Sequence, residues 1–190
     1  MAGGNIMAHY FIAIPIPEDL QHVYNGWQKE LRIALPYKKW MHPEDLHITL
    51  KFLGEANEGS VTALIKKVSQ LSLPKSFIIE LGTIGFFGKY DQPRVLWVDV
   101  KKRNELLRLQ TEIEAALYTI GFEKEKRDYR PHMTLAKKWK GVSVLADDRR
   151  RTLQEKYSLK QRFSVQEITL FRIHPNKTPS YEEVAKFPLL

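Results

Sequence analysis

The sequence has the length and composition of a folded protein: it contains 190 residues, of which 43% are hydrophobic and 27% are charged. Cysteine is absent, which excludes a disulfide framework, thiolate metal sites and a cysteine nucleophile. No apolar run approaches the roughly 20 residues that span a bilayer, and the N-terminus lacks the regions of a secretory signal. We therefore expect a cytoplasmic protein without a membrane partner, in which a disordered extension over residues 1–6 precedes a single domain over residues 7–190.

The net charge of +8 is concentrated in one part of the chain. Residues 122–162 hold 13 Lys and Arg against 6 Asp and Glu. Such a segment predicts a surface that attracts polyanions, including nucleic acids. A run of charge often only solvates helices and loops, so the charge by itself does not identify RNA as the partner.

Strands and helices alternate along the first half of the predicted fold. Residues 9–16 form a short apolar run rich in aromatic and β-branched side chains, which indicates a buried strand. Apolar residues at helical spacing after Pro17 predict a helix that ends at Pro36. Residues 46–53 predict the next strand, and Ser60 is the expected N-cap of a second helix.

The second half of the chain also contains both predicted strands and predicted helices. Residues 77–87 and 95–100 predict two strands joined by a turn-rich connection. The remaining predicted elements are a helix over residues 104–120, a strand over 132–138, a helix over 142–157 and a strand over 163–173. This order predicts the α+β class.

A short motif occurs twice. His47-Ile48-Thr49-Leu50 and His132-Met133-Thr134-Leu135 each follow a proline at a short distance, and each lies in a strand-like run. Side chains alternate between the faces of a strand, so the histidine and threonine of each motif share one face and the two apolar residues share the other. The repeat therefore predicts two pseudo-symmetric lobes, each of which contributes one strand to a common cleft.

Two imidazoles and two hydroxyls around one ligand suit phosphoryl transfer without a metal. Histidine titrates near pH 6.5, so one imidazole can remove a proton from water while the other donates a proton to the leaving oxygen. The hydroxyls of Thr49 and Thr134 can stabilise the negative charge that develops on the non-bridging oxygens. The attacking and leaving oxygens must lie nearly in line, so we expect His47 and His132 to face each other across the phosphate.

A single copy of this motif would more often be a polar strand with a structural histidine. Zinc binding is the other alternative for these histidines. A zinc site usually has three or four protein ligands, and the sequence offers neither cysteine nor a clustered histidine and carboxylate motif near them. His42 with His47 is the nearest pair. We expect no metal and no cofactor.

The doubled motif gives the chain a specific resemblance. Together with residues 11–15, Trp40, and the flanking segments 51–54 and 130–131, it is similar to the 2H phosphoesterase superfamily. Within that superfamily it resembles the RNA 2′,3′-cyclic phosphodiesterases once called 2′-5′ RNA ligases. The resemblance implies a bilobal fold with antiparallel sheets that line a central cleft, with helices outside. It also implies hydrolysis of the cyclic phosphate to a 2′-phosphate, with His47 as the acid toward O3′ and His132 as the base toward water.

The resemblance also suggests residues that bind the substrate. Lys137 stands where relatives often carry an arginine that holds phosphate, and lysine keeps the charge but loses the bidentate geometry. Phe52 occupies the equivalent place after the first motif, where it would stack on a base. Strict strand alternation would place both residues opposite their histidines, so a bulge or twist is required. Arg130 and Trp40 are candidate contacts to the RNA backbone and to a base.

Several functions remain open at this point. A 2′-5′ RNA ligase would use the same histidines with an RNA hydroxyl in place of water. A related cyclic-nucleotide or 2′-5′ oligoadenylate hydrolase would differ only in its pocket. A noncatalytic RNA-binding module would use the basic surface alone. In each case the expected partner is RNA or a nucleotide, and we expect the protein to act as a monomer.

Overall fold

The computed structural model describes residues 7–190, so the predicted extension over residues 1–6 lies outside the described part of the chain. The described part contains nine strands and four α-helices, which confirms the α+β class. The strands are β1 (Ala8–Pro15), β2 (Tyr37–Trp40), β3 (His47–Ala56), β4 (Phe77–Gly88), β5 (Pro93–Val100), β6 (His132–Trp139), β7 (Gln161–Val165), β8 (Glu167–Ile173) and β9 (Tyr181–Pro188). The helices are α1 (Glu18–Ala34), α2 (Glu58–Ser69), α3 (Asn104–Tyr118) and α4 (Asp147–Lys156).

The strands form one curled antiparallel sheet that has two similar halves. Its order is β7-β4-β5-β6-β3-β1-β8-β9, so four strands lie on each side of the junction between β6 and β3. That junction has a single paired position, Ile48 opposite Met133, and β2 pairs with β6 beyond it. The two groups of four strands are the predicted lobes. The strands that carry the two histidines are the innermost strand of each lobe.

The main hydrophobic core lies on the face of the sheet opposite the histidines. Ile12, Ile48 and Met133 on that face are fully buried, in one cluster with Leu31 of α1 and Ile113 of α3. Burying an aliphatic side chain of this size contributes about 1.5–3 kcal/mol. Alternate residues of β1, β3 and β6 are therefore fixed in the core, and the residues between them are directed to the other face.

Two helix boundaries differ from the prediction. The N-cap of α2 is Asn57 rather than Ser60, because the Asn57 side chain accepts a hydrogen bond from the Ser60 backbone N–H at 2.8 Å. Helix α4 begins at Asp147 rather than at residue 142. Gly141 precedes it with a φ of 91°, and the backbone N–H of Leu145 donates to the carbonyl of Asp91, so this segment is an irregular connection.

The last part of the sheet also differs from the prediction. Residues 163–173 were expected to be one strand, but they belong to β7 and β8, which pair with β4 and β1 respectively. The chain crosses at Gln166 from one lobe to the other. The short edge strand β2 and the last strand, β9, were not predicted. Backbone hydrogen bonds from residues 189 and 190 to Gln166 and Pro74 join the end of β9 to the other edge of the curled sheet.

Candidate active site

The two histidine motifs lie beside each other at the centre of the sheet. Ile48 and Met133, which follow the two histidines, pair across β3 and β6 and are fully buried. The side chains of His47 and Thr49 therefore share the opposite face with those of His132 and Thr134. These four residues are all partly exposed, so a ligand can reach them from that face. The structure thus brings together the four residues that the sequence predicted as catalytic.

Each imidazole is oriented by the backbone two residues before it. The Nδ1 atom of His47 lies 2.7 Å from the carbonyl oxygen of Asp45, and that of His132 lies 2.7 Å from the carbonyl oxygen of Arg130. A carbonyl can only accept, so each Nδ1 carries a hydrogen and each Nε2 is left to exchange protons. The Nε2 of His47 lies 3.1 Å from the hydroxyl oxygen of Thr49. Both motifs therefore present the same nitrogen to the cleft.

The surroundings of both imidazoles favour the neutral form. Burial lowers the pKa of His47 to about 4, and the charges of Lys137 and His132 act in the same direction. Burial also lowers the pKa of His132, again with a contribution from Lys137. The hydrogen bonds to the backbone oppose these shifts but do not reverse them. In the protein without a ligand both histidines are therefore neutral near pH 7, and a bound anion would favour protonation of either.

Two matching irregularities bring Phe52 and Lys137 to the catalytic face. In β3 the pairing with β1 passes from Thr49 opposite Ala13 to Lys51 opposite Ile12, which leaves Leu50 as an extra residue. In β6 the pairing with β5 skips one residue at the equivalent position, between Thr134 and Ala136. Each bulge reverses the alternation, as the sequence required. Phe52 is 55% exposed there, and the pKa of Lys137 is lowered by burial and by Lys39.

The other two predicted contacts lie in different surroundings. Arg130 is exposed in the loop before β6, where its carbonyl orients His132. Trp40 pairs with Ala136, and the side chain of Ala136 lies on the core face. The indole ring of Trp40 packs against the main core. The Arg32 guanidinium of α1 lies 5.4 Å from the centre of that ring. The structure therefore brings Arg130 near the site but does not bring Trp40 to the catalytic face.

Aromatic side chains that the sequence reasoning missed surround both histidines. Phe11 lies 4.7 Å from the ring centre of His47, and Tyr181 lies edge-on at 5.3 Å. On the other side Phe87 lies edge-on to His132 at 5.1 Å and stacks on Trp97 at 4.5 Å. These rings explain why the imidazoles are desolvated. Alternation along residues 11–14 would have placed Phe11 on the histidine face, but the other rings come from strands that are distant in sequence.

Asp45 is a second residue that the sequence did not reveal. Its carboxylate is 3% exposed and accepts hydrogen bonds from the backbone N–H groups of Ser180, at 2.8 and 3.0 Å, and Tyr181, at 3.0 Å. Its carbonyl oxygen is the one that orients His47. Asp45 therefore joins the start of β9, which carries an aromatic neighbour of His47, to the start of β3. Its side chain is a structural support for the site.

Between residues 7 and 190 there is no group of three or more His, Cys, Asp or Glu side chains arranged to hold a metal ion. No helix in the same part of the chain has both the length and the apolar composition needed to cross a bilayer.

Two oriented imidazoles, two hydroxyls and one ammonium group lie on a shared face, and this is the set of groups expected in a two-histidine phosphoesterase. The comparison with known families agrees with this class: residues 17–177 match the model of the 2′-5′ RNA ligase superfamily. The chain belongs to that family.

Individual relatives extend this result. The chain is 40% identical over 187 residues to a Bacillus subtilis protein named RNA 2′,3′-cyclic phosphodiesterase, and the match covers 97% of this chain and 98% of that protein. It is 34% identical to a Geobacillus stearothermophilus protein of the same name, covering 96% of this chain but 58% of the longer relative. The crystal structure of E. coli LigT complexed with 3′-AMP has the same fold, with a TM-score of 0.75, 20% identity, and coverage of 97% and 99%.

Proposed function

We propose that this protein hydrolyses RNA 2′,3′-cyclic phosphate ends to 2′-phosphate ends without a metal. The observation that carries the proposal is the pair of His-x-Thr motifs, which lie on adjacent strands with both Nδ1 atoms held by the backbone and both Nε2 atoms available. The relatives from Bacillus and Geobacillus are named for this activity, and one of them matches along nearly its whole length.

The reaction adds water across one bond of the cyclic phosphate. His132 Nε2 takes a proton from water as the water oxygen bonds to phosphorus, and His47, protonated once the phosphate anion is bound, donates its Nε2 proton to O3′ as the phosphorus–O3′ bond breaks. The products are a 2′-phosphate and a 3′-hydroxyl. His132 is then left protonated and His47 neutral, and exchange with solvent restores the starting state.

The remaining polar groups stabilise the charge on phosphate. Thr49 and Thr134 donate hydrogen bonds to the non-bridging oxygens, which gain negative charge in the transition state. The ammonium group of Lys137 adds a positive charge at the same face, and Phe52 offers an exposed ring to the terminal base. Arg130 contacts the RNA backbone from its loop. Trp40 would contact RNA only at the margin of β6, because its ring packs on the core side.

The alternatives place different demands on the same site. A ligase would need a second RNA end in the position of water. A noncatalytic RNA-binding module would not need two imidazoles with identical tautomers. A cyclic-nucleotide or 2′-5′ oligoadenylate hydrolase would use the same groups on another substrate. The names of the relatives favour hydrolysis of RNA cyclic phosphate over these alternatives.

We also infer that the enzyme acts as a monomer in the cytoplasm. The absence of cysteine suits a reducing compartment, and both catalytic histidines come from one chain, so the site needs no second copy. Light scattering of the purified protein and fractionation of cells test these two statements.

The product of the reaction tests the proposal directly. Purified protein is incubated with a short RNA that ends in a 2′,3′-cyclic phosphate, and the product is identified by chromatography against 2′-phosphate and 3′-phosphate standards. We expect the 2′-phosphate. A 3′-phosphate would reverse the orientation assigned to the two histidines, and an unchanged substrate would contradict the proposed function. A joined 2′-5′ product from added 5′-hydroxyl RNA would favour the ligase.

A further inference from the structure

A cavity of about 550 Å³ lies at the tip of the hairpin formed by β4 and β5. Phe87 and Val95 form the end of the cavity toward the catalytic face, and Trp139 of β6 forms an apolar wall. The indole N–H of Trp139 donates to the carbonyl of Ser143 at 3.0 Å, which fixes the orientation of that ring. The cavity therefore combines aromatic surfaces with an indole ring whose orientation is set by the following loop.

This cavity borders the catalytic face. Phe87 lines it and also lies edge-on to His132, with 5.1 Å between the ring centres. Val95 lines it and is paired with Lys137, which lies on the catalytic face. A ligand whose phosphate lies between the histidines could therefore extend into the cavity without leaving the protein surface.

The charge of the cavity is positive. Lys89, Arg94 and Lys138 line it, all three are exposed, and none forms an ion pair with another residue within the part of the chain from 7 to 190. Among the described residues, no acidic side chain lines it. Three uncompensated cations beside aromatic rings are the combination that binds single-stranded nucleic acid.

A second cavity, next to Phe52 in the other lobe, has a different character. Glu55 and Glu123 line it, and its lysine, Lys51, is already paired with Glu114 at 2.8 Å. An RNA chain that leaves the catalytic face would be repelled there and attracted at the β4–β5 hairpin. The charges therefore favour an RNA chain that runs from the catalytic face toward the β4–β5 hairpin.

The backbone of β6 directs two successive lysines to different places. Lys138 has a φ of 65°, a left-handed conformation that is unfavourable for a residue other than glycine. The preceding Lys137 lies on the catalytic face, whereas Lys138 lines the cavity. This conformation directs the two neighbouring ammonium groups to the catalytic face and to the cavity, respectively.

We propose that this cavity is a subsite for the nucleotide on the 5′ side of the cyclic-phosphate end, so that the preferred substrates are oligonucleotides rather than cyclic mononucleotides. The proposal rests on the proposed function, because it uses the histidine pair to locate the terminal phosphate. Lys89, Arg94 and Lys138 neutralise the linking phosphate groups, and Trp139 and Phe87 provide surfaces for the penultimate base.

A charge-matched pair of triple variants tests this subsite. The subsite variant is Lys89→Gln, Arg94→Gln and Lys138→Gln; the control is Lys29→Gln, Lys66→Gln and Lys75→Gln, three exposed lysines outside the cavity. Each loses three positive charges. The value of kcat/KM is measured for a pentanucleotide and for a mononucleotide, each with a 2′,3′-cyclic phosphate. Binding of the pentanucleotide product is measured in parallel by fluorescence anisotropy at several salt concentrations.

We expect the subsite variant to lose about 10- to 100-fold in kcat/KM on the pentanucleotide and less than about twofold on the mononucleotide, while the control keeps both values. The slope of log affinity against log salt should become shallower by up to about 2, because each phosphate contact on a single strand contributes about 0.7. Equal losses in the two triple variants, or equal losses on the two substrates, would overturn the subsite. If wild type cleaves neither substrate, the proposed function fails, and the binding measurement still decides the subsite.

Discussion

Removal of the Asp45 carboxylate should lower the free energy of unfolding by an amount that follows from its hydrogen bonds. Asp45→Ala leaves the backbone N–H groups of Ser180 and Tyr181 buried without their acceptor. A hydrogen bond to a charged group contributes about 1.5–3 kcal/mol, so two such donors give an expected loss of about 3–6 kcal/mol in the free energy of unfolding. That is a large part of the roughly 5–15 kcal/mol that stabilises a typical domain.

Urea denaturation followed by tryptophan fluorescence measures this loss. Ser180→Ala is the matched control, because it keeps the same backbone N–H and removes only the side-chain hydrogen bond to the carbonyl of Lys177, worth about 1 kcal/mol. The carbonyl of Asp45 that orients His47 remains in both variants, so kcat should fall less than in His47→Ala. If Asp45→Ala were no more destabilising than Ser180→Ala, the carboxylate would not hold β9 to the site.

Four further predictions concern the chemistry of the site and the support of the histidines. Burial and Lys137 lower the pKa of both His47 and His132. His47, which must be protonated to act as the acid, therefore loses its proton below pH 6.5. The bell-shaped profile of kcat/KM should accordingly have its optimum at acidic pH. Lys137→Gln removes a nearby positive charge, raises both pKa values and should move the bell to higher pH; an unmoved alkaline limb would contradict this. Gly85→Ala would make its new Cβ overlap the Trp97 ring and should lower kcat/KM by disturbing the rings beside His132, whereas Gly82→Ala meets only ordinary contacts at 3.5 Å and should have little effect. EDTA should leave turnover unchanged, and a loss that a divalent ion restores would exclude the metal-free reaction.

The sequence predicted which polar side chains share a face of the sheet better than it predicted the surroundings of that face. The alternation within each His-x-Thr motif is a local property, so the motif alone places His47 with Thr49, and His132 with Thr134, on one face of its strand. The requirement for a bulge could also be derived, since Phe52 and Lys137 have the wrong parity for the catalytic face. The family resemblance supplied the roles of these residues, which local spacing does not contain.

The features of the fold and the site that could not be predicted from the sequence depend on contacts between distant segments. Strand β9 carries exposed and charged residues over much of its length, so it lacks a hydrophobic pattern, and its pairing with β8 is stabilised by the backbone. The crossing at Gln166 has neither proline nor glycine to mark it. Asp45 and Trp97 act at the site only because the chain brings β9 and β5 beside the histidine strands. Trp40 is close in sequence to the first motif, but it does not lie on the catalytic face.

In the proposed mechanism, His47 and His132 act as one acid–base pair on a cyclic phosphate. The most direct test is the rate of hydrolysis of RNA ending in a 2′,3′-cyclic phosphate by wild type, His47→Ala, His132→Ala and the double variant, with Thr49→Ala and Thr134→Ala for comparison. Each histidine variant should lose about 10² to 10⁴ in kcat, the double variant should lose little more than either, and the threonine variants should lose less. Histidine variants that turn over this substrate like the wild type would contradict the acid–base roles of His47 and His132.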